Sequence, residues 1–125
     1  MQMNKLFTEY KLASALNELG FDLRCLATID QTEFLHINGT RQSPRGSMMY
    51  DTVPCPLYQQ VTDWLRDEHG IIIVVMPFLL EDNTITYEYT NYTDKDQDEI
   101  DHGDGPYEDY YDALNASIKS ALLCI

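Results

Sequence analysis

Six acidic side chains fall within TDKDQDEIDHGDG, residues 93–105, and Asp94, Asp96 and Asp98 alternate along it. Alternating carboxylates are how a calcium loop begins, with ligands at the first, third and fifth positions, a turn glycine at the sixth and a bidentate glutamate at the twelfth. Counted from Asp94, the sixth residue is Glu99 and the twelfth is Gly105. The sharp turn and the bidentate ligand are both missing, so Asp94, Asp96 and Asp98 are weak metal candidates and no metal is expected. A charge run of this kind is ordinarily a solvated connector. Its other use is electrostatic: with Tyr92, Glu99, Asp101 and Asp104, these residues would form an acidic surface able to compete for a basic groove on a partner.

A second suggestive place is NGTRQSPRGS, where Arg41 and Arg45 make a positive spot suited to an anionic ligand. It lacks the glycine fingerprint between strand and helix that cradles phosphate, and no cofactor is expected. Nor is there a Gly-x-Ser-x-Gly, an HExxH or a cysteine with an obvious histidine partner, so no catalytic residue is assigned. His36, His69 and His102 are evenly spaced, but the apolar patterns around them are unrelated and the spacing is no repeat. Cys25, Cys55 and Cys124 form no ligand pair or disulfide framework and read as reduced, buried thiols of a cytoplasmic protein. Tyr87, Tyr89, Tyr92, Tyr107, Tyr110 and Tyr111 crowd the acidic region. Their spacing fits strand and helix faces, and tyrosine is also a residue of interfaces.

Three helices and two hairpins must position these groups. FTEYKLASALNELGF reads as the first helix, capped by Thr8, with Leu12, Leu16 and Leu19 on one face and Gly20 as its stop. LRCLATI and TEFLHI alternate as a hairpin. Residues 38–55, with two glycines and two prolines, read as a long polar loop. PLYQQVTDWLRDEHG is the clearest helix: Pro56 opens it, Leu57, Val61, Trp64 and Leu65 form a stripe, and Gly70 ends it. IIIVVM is apolar on both faces, the pattern of a central strand, and TITYEYTNY alternates as its antiparallel partner. Pro106 is placed to open a last helix along Tyr111, Leu114, Ile118 and Ala121, with Glu108 and Asp109 at its positive end. The expected fold is one small α+β domain over residues 1–125, ordered α-β-β-α-β-β-α, with a mostly antiparallel sheet and helices packed on one side.

The chain has a formal net charge of −13, and residues 81–112 hold twelve acidic side chains against Lys95 alone. Direct binding to nucleic acid through phosphates needs clustered lysine and arginine and is disfavoured. The longest apolar run, IIIVVMPFLL, is far below the ~18 residues that span a bilayer, so no membrane partner is expected. The start lacks a signal-peptide pattern.

PLYQQVTDWLRDEHGIIIVV and YEDYYDALNASIKSALLCI, with LASALNELGFD near the start, resemble small proteins encoded by bacterial phages and integrated mobile elements. That group typically shows a Trp-bearing helix ending in a His-Gly turn, a hairpin, and a last helix beginning Tyr-x-x-Tyr/Phe-x-x-Ala-Leu, matched here by Tyr107, Tyr110, Ala113 and Leu114. The resemblance implies a genomic setting rather than an activity, and no residue is assigned a catalytic role by it. The expectation is a cytoplasmic interaction or accessory protein with a protein partner, not an enzyme. The alternatives are an acidic mimic of nucleic acid that occupies a host DNA-binding protein or nuclease, and an anion-binding protein using Arg41 and Arg45.

Overall fold

The computed structural model describes residues 3–37, 52–94 and 99–125, arranged as two compact units, Met1–Gln60 and Val61–Ile125. The first unit contains a short 3-10 turn at Met3–Leu6, helix α1 (Tyr10–Glu18) and strands β1 (Ala27–Asp30), β2 (Leu35–Ile37) and β3 (Thr52–Cys55). Helix α2 (Tyr58–His69) starts in this unit and continues in the second. The second unit adds β4 (Ile71–Leu79), β5 (Ile85–Thr93), β6 (Glu99–Tyr107) and helix α3 (Tyr110–Leu122). The expected α+β class and antiparallel pairing stand; among the described residues one further strand follows each hairpin, and there are two three-stranded sheets in place of one.

In the first sheet β1 is central, with Ala27 opposite both Ile37 and Cys55, and Ile29 opposite both Leu35 and Val53. Alternation sends Ala27 and Ile29 to one face, where they join Phe7, Ala13 and Cys55 in a buried cluster. Burial of large apolar side chains such as Phe7 and Ile29 contributes roughly 1.5–3 kcal/mol each relative to exposure.

The first helix is shorter at its start than its sequence suggests. Thr8 is not the cap: it is buried, its hydroxyl donates to the Pro56 carbonyl at 3.3 Å and its N–H to the same oxygen at 3.0 Å. The helix starts at Tyr10, whose N–H is accepted by the Glu33 carboxylate, and Glu33 itself holds a left-handed φ of 66° in the β1–β2 turn. That turn is organised by Asp30, whose Oδ1 accepts from Thr32 N–H at 2.8 Å, Thr32 Oγ1 at 2.5 Å and Phe34 N–H at 3.1 Å. The stop of α1 follows expectation, but Leu19, expected on its apolar face with Leu12 and Leu16, is 43% exposed. Gly20 has φ 90° and donates to Asn17 O, while Phe21 donates to Leu16 O, the paired bonds of a Schellman stop.

Pro56 likewise does not open α2. It is buried ahead of Leu57, whose N–H is satisfied by Gln60 Oε1 at 3.0 Å in the manner of a capping box. Val61, Trp64 and Leu65 are buried as their spacing requires, and Gly70 ends the helix with φ 66°.

In the second sheet the order is β4-β5-β6, so the Ile-rich strand is an edge and the Tyr-rich strand is central. Helix α3 lies along the sheet face that carries Tyr87, Tyr89 and Asn91. Asn91 is buried there: its Nδ2 donates to Ser117 O at 3.0 Å and its Oδ1 accepts from Ser117 Oγ at 2.6 Å. Ala113, Leu114, Ile118 and Ala121 complete the buried face of α3. Pro106 belongs to β6 rather than to this helix, which begins at Tyr110 with Asp109 in the extended N-cap conformation.

Candidate functional site

The acidic stretch does not fold as one connector. Residues 95–98, including Asp96 and Asp98, lie outside the described residues, but from Glu99 onward the chain is strand β6. The reason is the register with β5, which places Asp101 opposite Asn91 and Gly103 opposite Tyr89. Asp101 is drawn to the helix side, where Oδ2 accepts from Ser120 Oγ and from Tyr89 Oη at 3.4 Å. The Ser120 hydroxyl, opposed by partial burial, holds the Asp101 carboxyl below its ordinary value. Glu99 is exposed and pairs with His102 Nδ1 at 3.0 Å. Tyr92 is half-buried on β5, opposite Ile72 and Glu99. Asp94 is tied by its N–H to Gly70 O at 2.8 Å, and its carboxylate lies where a side chain on Gly70 would begin. Asp104 sits within β6. Of these residues, Glu99, Asp101 and Asp94 are thus divided between exposed strand, helix contact and turn, and no metal-binding group of three occurs among the described residues. Arg41 and Arg45 lie outside the described residues.

The ring of Tyr89 packs over Gly103: a Cβ added there would fall on the ring edge. Tyr87 meets Tyr110 edge to face at 5.9 Å, and Tyr110 meets Tyr111 at 5.2 Å. The Tyr87–Tyr110 contact places the start of α3 against the third residue of β5, and Leu79 and Ile85, farther out on the same face, stay exposed.

That outer half is the surface sequence reasoning missed. The β4–β5 register is continuous from Ile71 opposite Thr93 to Leu79 opposite Ile85. Odd-numbered residues of both strands share the face that α3 covers, and even-numbered residues the other. Beyond Val75, however, side chains on both faces are open: Met76 is 51% exposed, Phe78 41%, Leu79 71%, Leu80 46% and Ile85 51%. An apolar run on both faces predicts a central strand only if a layer covers each face along its length. Here the run extends past its helix as a two-stranded ribbon. The tip is held by Asp82, whose Oδ1 accepts from Thr84 Oγ1 at 2.6 Å and Thr84 N–H at 3.2 Å, and by Asn83 at φ 67°.

The hydrogen-bond phase of the ribbon fixes which groups face outward. Leu80 N–H donates to Thr84 O and Asp94 N–H to Gly70 O, both at 2.8 Å, so the even-numbered residues of β4 bond β5. Ile71, Ile73, Val75, Pro77 and Leu79 therefore direct their backbone groups to the outer edge. Among the described residues no strand pairs with that edge. Pro77 leaves a missing N–H in its row.

No family model, curated protein or solved structure matches the chain. No helix among the described residues is long and apolar enough to cross a membrane.

Proposed function

We propose that this chain is a non-catalytic protein-interaction module, an accessory protein of a phage or mobile element that works in the cytoplasm, and that the outer β4–β5 ribbon is its contact element. The observation that carries this reading is the exposure of Met76, Phe78, Leu79, Leu80 and Ile85 on one projecting hairpin. Contiguous apolar surface rimmed by polar residues is characteristic of docking sites. The genomic setting and compartment rest on the sequence resemblance and on reading the three cysteines as reduced thiols; all three are free, although only Cys55 is buried as expected. The test is affinity capture from host lysate with the whole protein and with a Phe78→Ser/Leu79→Ser variant, at low and high salt. A partner retained at high salt by the wild type and lost by the variant supports the reading. Robust turnover of a hydrolase or transferase substrate, abolished by one point substitution, would overturn it.

The second reading, an acidic mimic of nucleic acid, draws on the ordering of Glu99 and its neighbours in β6. It expects salt-sensitive binding to a host DNA-binding protein that is unaffected by Phe78→Ser/Leu79→Ser.

A further inference from the structure

Resting on the interaction reading, we infer that the ribbon docks against a protein surface that is apolar and bordered by lysine or arginine. Three kinds of occupant compete for an exposed hairpin of this sort: an added strand, a second copy of the chain, and a partner that engages side chains.

Strand addition requires the outer edge of β4 to supply backbone donors and acceptors in succession. Pro77 lies in the outward-facing row and supplies none of its donors, in the stretch where the ribbon is most exposed. Recognition therefore falls to the side chains: Met76 and Phe78 on one face, Leu79 and Ile85 on the other, and Leu80 at the turn.

Charge decides between the remaining two. Glu81 and Asp82 form the tip, Glu88 stands on the face shared by Met76 and Phe78, and Glu108, Asp109 and Asp112 flank Tyr110 at the base. Between Arg66 and Lys119 the sequence has one cationic side chain, Lys95. A second copy would bring the same carboxylates to the same rim, and like charges set against each other across an interface are unfavourable. Lysine or arginine around an apolar centre matches both features at once, with the apolar contacts giving affinity and the rim giving register and encounter rate.

The probe is a random peptide display library selected against the immobilised full chain. Peptides recovered should be enriched over the input in both apolar residues and lysine or arginine. Their affinity should fall at least about ten-fold for Phe78→Ser/Leu79→Ser, as expected for central apolar anchors. It should fall less for Glu81→Gln/Asp82→Asn, which should also flatten the salt dependence. Leu79→Ser/Ile85→Thr serves as a second apolar variant, and circular dichroism confirms that each variant is folded. Peptides that depend on the ribbon but lack cationic enrichment overturn the stated chemistry and leave the contact element standing. So does a wild-type dimer in sedimentation that Leu79→Ser dissociates. Recovered peptides indifferent to every ribbon substitution, or no enrichment at all, overturn both.

Discussion

The Glu33 carboxylate caps helix α1 from 23 residues away, its two oxygens lying 3.1 and 3.3 Å from the Tyr10 N–H. The local N-cap residue, Glu9, makes no capping bond with its side chain. The β1–β2 turn thus holds a helix end, and it does so from a left-handed residue that has a Cβ to accommodate. Cap and backbone cost separate cleanly by substitution. Glu33→Ala keeps the Cβ and loses the cap, so it should lower the free energy of unfolding by about 1 kcal/mol. Glu33→Gly loses the cap but relieves the backbone, and should fall nearer to wild type in the same urea titration.

Asn91 and Ser117 form a buried polar tie between the central strand and α3. Ser117→Ala leaves Asn91 Oδ1 without its donor while its Nδ2 still reaches the helix carbonyl, and should cost about 1–2 kcal/mol in chemical denaturation. Asn91→Ala adds a cavity and should cost more, about 2–3 kcal/mol. Because both substitutions remove one shared bond, the double variant should lose less than the two single losses added.

Gly103 is required by the ring of Tyr89 rather than by its own backbone. Gly103→Ala should destabilise by about 1–3 kcal/mol, the range of an overpacked contact. In a Tyr89→Ala background the same change should be nearly neutral. An equal cost in both backgrounds would place the constraint elsewhere.

Three carboxyls are held below the ordinary 3.8: Asp101 chiefly by the Ser120 hydroxyl, Asp30 by the Thr32 hydroxyl and Asp82 by the Thr84 hydroxyl. A lowered folded value means that the unfolded chain takes up protons first. Their stabilisation is therefore complete above 3.8 and is lost as pH falls through the folded values. Acidification also relieves repulsion in a chain of net charge −13, so the readout is a difference. Wild type should exceed Asp101→Asn in melting temperature near neutral pH, and the gap should close below 3.8.

Much of this fold is legible in the sequence because its signals are local. Gly20 and Gly70 stop their helices, and the Val61, Trp64 and Leu65 stripe is buried. What sequence spacing missed depends on partners distant along the chain. Thr8 has the composition of a cap, yet Pro56 claims its hydroxyl. Asp101 looks like one charge in a run, yet it pairs opposite Asn91 in a strand and accepts from Ser120 and Tyr89, residues distant along the chain. Ile71–Leu79 reads as central because periodicity records where apolar residues are, not how far the covering helix reaches.

The outward-facing position of Pro77 also has a meaning for the gene. Threonine, serine, alanine and leucine are each one nucleotide away from a proline codon, and all of them carry an amide hydrogen. A single base change would thus restore an uninterrupted row of donors along an uncharged, Ile- and Val-rich border, the kind of template on which chains assemble into fibrils. Pro77→Thr should leave the helical circular dichroism of dilute protein intact while making concentrated solutions scatter light and bind thioflavin more than the parent does. Pro77 is in that sense the one residue that interrupts the outward row of β4.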